Sequence, residues 1–361
     1  MLRPMAILAA RLHNQGLAGT PARRAAAVVE RLCAVQAQDF IGAKWAIGLR
    51  AGGHDDAAVE KAFDRGEILR THVMRPTWHF ATPADIRWLL ALTAPRIKQT
   101  SASYYRQAGL DPTTLSRAHR VLVSELEGGR FLTRAELAAT LAKRGIEARG
   151  FQLGLVAFHA ELEQVICSGP TRGRQLTYAL FDERAPSAKA RTPRNPAAEL
   201  ARRYFDSHGP ATLRDFVWWS GLTVTQAKRG IAEASPALGA QELEGLTYWA
   251  AAWTPVPRMP PATFLLPNYD EYVIAFKDRD LVQPPGWKKS GGIAGLNAFE
   301  HPLVVDGLLA GYWRRRVTGA KTRVELVVRV PLSAKQRTAV TAAADRLVRF
   351  SGEGCSLVGR F

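Results

Sequence analysis

Three short aromatic stretches, TWHFA at 77–81, LTYAL at 176–180 and LTYWA at 246–250, each close the same succession of patterns. In the first round, Val28, Val29, Leu32 and Val35 repeat at helical spacing. Thr20-Pro21 is the predicted start of that helix, because Thr caps free N–H groups and Pro suits the first turn. A second helical run from Asp56 to Arg65 stops at Gly66, and ILRTHVMRPTWHFA then reads as a hairpin about Arg75-Pro76-Thr77. The second round opens at Thr133, where TRAE fits the capping-box pattern, and its helix stops at Gly145. A further helix over Phe151 to Gln164 leads into the hairpin VICSGPTRGRQLTYAL. The third round starts at Gly209, has Thr212 and Asp215 in the corresponding places, and finishes in LGAQELEGLTYWA. Even KRGI recurs, at 143–146 and 228–231.

Helices followed by a β-hairpin, three times over, is the plan of a winged helix-turn-helix array. From about residue 256 strand-like runs take over (HPLVVDGLL, GYWRRRV, RVELVVRV), with a closing helix near Ala334 to Arg349. The expected fold is therefore α+β: three tandem winged helix-turn-helix units followed by a small, mostly β C-terminal domain. The expected boundaries are 1–82, 83–185, 186–255 and 256–361, the third including a linker marked by Pro186, Pro193 and Pro196.

A chain of 361 residues is too long for one typical core, which agrees with several units. An apolar content of 47% excludes a disordered chain. Lys and Arg exceed Asp and Glu by 49 to 32, and the net charge of +17 is spread along the chain rather than held in a polylysine tail. Such an excess implies a polyanionic partner, of which nucleic acid is the commonest, and arginine dominates, whose fork fits phosphate. Cys33, Cys167 and Cys355 stand far apart with no CxxC pair, which argues against a disulfide framework or zinc ribbon and fits a reducing cytosol. No leader pattern and no run of ~20 apolar residues is present, so no membrane partner is expected.

The first long helix closes in AVQAQDF, residues 34–40. On a helix Gln36 and Gln38 would face opposite ways, whereas in extended chain they share a side. Two readings stay open on spacing alone: unrelated surface amides, or amides aimed together where the helix unwinds.

Tandem winged helices, Gln-x-Gln after the first long helix, RPTWHF in the first hairpin and LLPNYDEYVIAF opening the β tail together resemble the AlkZ/YcaQ-type winged-helix DNA glycosylases, over essentially the whole chain. The resemblance implies a concave DNA-binding surface, and excision of N7-alkylated purines including interstrand crosslinks. Members carry Gln-apolar-Gln or Gln-apolar-Asp as the catalytic motif, and Gln36-Ala37-Gln38 matches the double-glutamine branch. It implies that Gln36 and Gln38 are catalytic.

An N7-alkylguanine already carries positive charge, so departure of the base neutralises it and no strong acid is needed. A glutamine carbonyl accepts a hydrogen bond from water and can orient it toward the anomeric carbon. Arg75, His79, Arg172, Arg174, Arg314 and Arg316 are the expected DNA-binding residues, although alternate members of Arg314-Arg315-Arg316 must face opposite sides of a strand. Asp39 reads as a helix-end hydrogen bonder and Asp270-Glu271 as a turn at the start of a strand. His72 and His79 lack a third ligand at zinc spacing, and Trp218-Trp219 reads as core. No metal or cofactor is expected. The expected partner is double-stranded DNA with alkylated bases, bound by a monomer in the cytoplasm at the nucleoid. The competing reading is a noncatalytic winged-helix DNA-binding protein or transcription regulator, although regulators are usually small dimers reading half-sites.

Overall fold

A computed structural model describes residues 3–251, 253, 262–285, 287, 300–318, 321–352 and 355–360. The expected opening of the C-terminal domain at 256 falls outside the described residues. The fold is mixed α/β, and its first 250 residues repeat one small topology.

The first copy comprises α1 (Pro4–Asn14), α2 (Ala25–Leu32), β1 (Val35–Gln36), α3 (Phe40–Gly48), α4 (Asp56–Asp64), β2 (Leu69–His72) and β3 (Trp78–Ala81). Its sheet has the order β1-β3-β2, so the two-residue β1 lies beside the second hairpin strand. The second copy follows with α5 (Ile86–Gln107), α6 (Pro112–Leu126), β4 (Leu132–Thr133), α7 (Arg134–Lys143), α8 (Gly150–Leu162), β5 (Ile166–Ser168) and β6 (Thr177–Leu180). Its order, β4-β6-β5, repeats the first. After the single turn α9 (Phe181–Arg184), the third copy has α10 (Pro196–Ser207), α11 (Leu213–Ser220), α12 (Val224–Ala234), β7 (Gly239–Leu243) and β8 (Leu246–Ala250). There the short edge segment shrinks to one bridge between Ala211 and Trp249.

Each short edge segment leads into a helix, and two of the three helices are capped alike. Thr133 and Thr212 accept from the backbone N–H of Glu136 and Asp215, whose carboxylates reach back to the Thr amides. In the first copy Asp39 holds the cap position of α3 but makes no cap hydrogen bond, and Gly42 stands where the others carry an acid. A β-carbon on Gly42 would come within 2.6 Å of Asp39 Oδ2.

The C-terminal part starts with β9 (Thr263–Leu265) and the helical turn α13 (Glu271–Ile274), then adds β10 (His301–Val305), β11 (Leu308–Thr318), β12 (Lys321–Val328), α14 (Ala334–Ser351) and β13 (Cys355–Arg360). One five-stranded sheet results, ordered β13-β12-β11-β10-β9, antiparallel except where β13 runs parallel to β12. This part packs on the first copy through one continuous apolar core that includes Leu12, Val29, Val35, Trp45, Leu265, Trp313 and Phe350. Arg50 of the first copy makes a buried two-pronged ion pair with Asp270, 2.8 Å on each side.

Several local expectations are corrected. The helix predicted from Thr20-Pro21 begins at Ala25, because Ala22 is held in an extended bridge to Ala51. It ends at Leu32 rather than continuing through Val35. Pro196 opens α10 under an Asn195 cap instead of belonging to a linker. Asp270 caps α13, so Asp270-Glu271 starts a helical turn and not a strand. KRGI sits at a helix end in one copy and inside α12 in the other, so that recurrence carries no structural equivalence.

Candidate active site

The path of the backbone decides how Gln36 and Gln38 emerge. Cys33 ends α2 with φ of 68° and ψ of −45°, outside the helical region, and the chain enters β1 directly. Val35 pairs with Phe80 and Gln36 with His79. Val35 and Ala37 are buried in the apolar core, so the two glutamines fall on the other side of the extended chain. Gln36 is buried there and Gln38 is exposed.

Gln36 is held from three directions. Its backbone N–H donates to Glu271 Oε1 at 2.8 Å, its side-chain Oε1 accepts from Arg75 Nη2 at 2.9 Å, and its cross-strand neighbour is His79. Gln38 Oε1 accepts more weakly from the amide of Trp78, at 3.4 Å. Gln36, Asp39, Gly42, Pro267 and Tyr269 line one narrow crevice. Asp39 makes no side-chain hydrogen bond among the described residues, so it is not the helix-end hydrogen bonder expected.

Glu271 joins the first copy, the third copy and the C-terminal part. Besides Gln36 of the first copy, its carboxylate accepts from Trp219 Nε1 of the third copy at 3.0 Å and lies 3.4 Å from His208 Nε2. Burial opposes its ionisation, but contact with His208, the Gln36 amide and the nearby His79 bring its pKa down to about 2. Burial also drives His208 downward. Burial first, and then the charge of Arg75, lower His79 to about 4, so its imidazole is neutral at physiological pH.

The face around Gln36 is short of internal partners. Nε2 of His79, Oγ1 of Thr71 and Nε of Arg75 are buried without a hydrogen bond among the described residues. Each such atom costs roughly 1–3 kcal/mol. Clustering of that cost beside one motif marks a site shaped for something other than stability.

Two cavities flank the motif. One of about 670 Å³ lies between the first and second copies, lined by Arg70, Trp78, Arg134, Glu161, Arg174 and Tyr178. Arg70 connects it to the motif by donating to the carbonyl of Ala37. The other, of about 710 Å³, is bordered by Asp39, Trp45, Arg174, His301, Trp313 and Arg315. Arg174 lines both and makes no hydrogen bond or ion pair among the described residues.

The remaining expected DNA contacts fall in different settings. Arg172, two residues from Arg174 on the hairpin tip, is tied to Glu136 and the carbonyl of Phe131. Arg314 pairs with Glu300 and Arg316 with Glu325, while Arg315, on the same side of β11 as Trp313, borders the second cavity. The alternation expected of that arginine run holds. Nothing in the sequence marks Arg70 and Arg134, and it marks Arg315 only as a member of its run; their place in the fold distinguishes them from other arginines. His72 is occupied by Glu161 and packs at a tilt on Trp78. Trp219 is core, whereas Trp218 is half-buried among cations.

No helix among the described residues is long and apolar enough to cross a membrane. The chain belongs to the AlkZ-like DNA glycosylase family, whose sequence model matches residues 29–350. Among characterised relatives, the interstrand DNA cross-link repair glycosylase of Streptomyces sahachiroi is 28% identical over 328 residues, 85% of this chain and 86% of that protein. The solved structure of Streptomyces sahachiroi DNA glycosylase AlkZ superposes with a TM-score of 0.77 over 98% of this chain and 99% of that one. At 23% identity, that likeness is one of fold.

Proposed function

We propose that this protein hydrolyses the N-glycosidic bond of cationic N7-alkylpurines in duplex DNA, crosslinked purines included, with Gln36 and Gln38 positioning the attacking water. The observation that carries the reading is that the helix ends before the motif, so that Gln36 lies on β1 between the buried Val35 and Ala37 while Gln38 Oε1 reaches the amide of Trp78 on the paired strand. Gln36 Oε1 spends one lone pair on Arg75 and keeps a second for water. The carboxylate of Glu271, lying behind the Gln36 amide, supplies a fixed negative field as the sugar gains oxocarbenium character. Neutral His79 fits a reaction whose leaving group needs no proton.

In this reading the three repeated copies are winged helix-turn-helix units that carry DNA across the concave side as a monomer, with Arg75, His79 and Arg174 nearest the reacting nucleotide. A crosslinked base cannot leave the duplex, and two open cavities beside the motif suit it better than one deep pocket. The name of the Streptomyces sahachiroi relative supports crosslinks as substrates.

The test is incubation with duplexes carrying N7-methylguanine or a nitrogen-mustard crosslink, followed by alkali. Strand scission that disappears in the Gln36→Ala, Gln38→Ala double variant is expected. Undiminished scission in that variant removes the two-glutamine mechanism. Tight sequence-specific binding without scission returns the protein to the regulator class.

A further inference from the structure

Trp218 sits on α11, one residue before the core indole of Trp219, yet it is only half-buried. Its Nε1 donates to the carbonyl of Ile274 at 2.9 Å, which fixes the ring against the C-terminal part. Three cations gather on that ring. Lys277 Nζ lies 4.6 Å from its centroid, Arg75 Cζ 5.3 Å and Arg279 Cζ 5.7 Å.

None of the three makes an ion pair or hydrogen bond to an acidic side chain among the described residues, although the buried carboxylate of Glu271 lies near enough to attract Arg75. Among the described residues Lys277 is exposed and makes no side-chain hydrogen bond, and Arg279 donates to a backbone carbonyl, that of Val273. Arg75 gives one nitrogen to Gln36, while its buried Nε has no partner. The acids of the same turn are engaged along the chain instead: Asp278 accepts from the amide of Asp280, and Asp280 from Gln283. Three like charges around one indole repel one another, and cation–π attraction returns only about 0.5–2 kcal/mol per contact. An anion between them removes that repulsion.

We propose that Arg75, Lys277 and Arg279, held by Trp218, form the seat of one DNA backbone phosphate on the strand that carries the reacting nucleotide. The choice of phosphate rests on the glycosylase reading, since Arg75 links the seat to Gln36 in a single side chain. Phosphate fits better than a stacked base, because cations already lie over the indole. The ring therefore orders the cations and leaves the anion to the donors. Residues 75, 218 and 277–279 come from the first copy, the third copy and the C-terminal part, so one phosphate bridges all three.

The experiment measures the affinity of an uncleaved, undamaged duplex across salt concentrations. For Lys277→Ala and for Arg279→Ala, the dissociation constant rises several-fold and the slope of log K against log salt falls by about 1. A scan of single methylphosphonates along a duplex whose one N7-methylguanine carries a 2′-fluoro sugar that resists excision, and so fixes the register, then weakens wild-type binding most at one position, and that neutralisation has no further effect on Lys277→Ala. Unchanged affinity and slope in Lys277→Ala, whose exposed side chain the fold does not need, overturn the seat. So does a methylphosphonate penalty that adds to the variant's at every position. Binding is read without excision, so a seat that fails in a protein that still excises N7-methylguanine leaves the function standing. A seat that holds in a protein without excision removes the function alone.

Discussion

Arg75 Nη2 donates to Gln36 Oε1 over 2.9 Å, and this bond joins the hairpin turn to the strand that carries the motif. The arginine fixes which way the carbonyl of the amide points and leaves the second lone pair available. Arg75→Lys keeps the charge but loses the fork, so it does not replace the wild-type residue. A fall in single-turnover excision of roughly tenfold or more is expected for Arg75→Lys, by analogy with the loss of one charge-assisted bond. Excision at the wild-type rate would show that the bond does not orient the amide.

Single replacement of either glutamine by alanine is expected to lower the excision rate by roughly 10²-fold or more, the range for misplacing a reactant that a side chain positions. Gln38 is exposed, so thermal stability of Gln38→Ala should match the wild type. Single-turnover kinetics on N7-methylguanine duplex, beside a thermal melt, separate the chemical loss from any loss of fold.

Two arginines on one hairpin tip should behave differently. Arg174 is free to meet a ligand in either cavity, so Arg174→Ala weakens DNA binding and lowers the salt slope by about 1. Arg172 is occupied by Glu136 and Phe131, and its exposed ion pair is worth at most about 1 kcal/mol. Equal binding losses for the two variants, measured by fluorescence anisotropy, would refute the distinction.

The buried pair of Arg50 and Asp270 holds the C-terminal part against the first copy. Removing one partner strands a buried charge, so Asp270→Ala is expected to destabilise the protein by roughly 3–5 kcal/mol. Chemical denaturation gives the number. A shift below about 1 kcal/mol would mean that the interface relaxes to admit water.

Acid should weaken the fold before it protonates carboxylates. His79 is lowered from 6.5 to about 4 by burial and by Arg75, so the unfolded chain takes up its proton first. The stability due to its neutral form is complete above pH 6.5 and declines as pH falls toward 4. Glu271 acts lower: its contribution is complete above its ordinary value near 4.5 and is lost as pH falls to about 2. Denaturation midpoints from pH 7 to 4 should fall for the wild type and fall less steeply for His79→Gln. Parallel curves would show that His79 does not carry the effect.

The repeated plan was legible because helix caps and hairpins are local. Thr133 with Glu136 and Thr212 with Asp215 form in the structure as the sequence pattern predicts. Both tips and the aromatic second strands also fall where expected. By contrast α3 carries no such signal, since its cap makes no hydrogen bond and its residues are apolar apart from Lys44. The two long helices α5 and α6 lie outside the repeated sequence pattern, one of them carrying Pro95 in its interior.

The candidate site was legible in its centre and hidden in its surroundings. Gln-x-Gln is visible as a tripeptide, but Glu271 reaches Gln36 across 235 positions, a relationship no local pattern contains. Trp218 and Trp219 look alike in sequence and differ because neighbours on a helix point about 100° apart. One faces the core and Glu271, the other the cations. Choosing Arg315 over its neighbours needed the strand register, which places Trp313 beside His301.

A two-residue strand and one left-handed residue at Cys33 set the phase of the motif. Side chains along extended chain alternate, so moving the chain by one position exchanges its faces. Deleting a single residue between Cys33 and Gln36 would preserve both amides in the text of the sequence. It would also turn them toward the interior now held by Val35 and Ala37, and bring apolar side chains to the polar face. Identity at 36 and 38 is thus half of the information; the other half is the parity of their distance from the end of a helix.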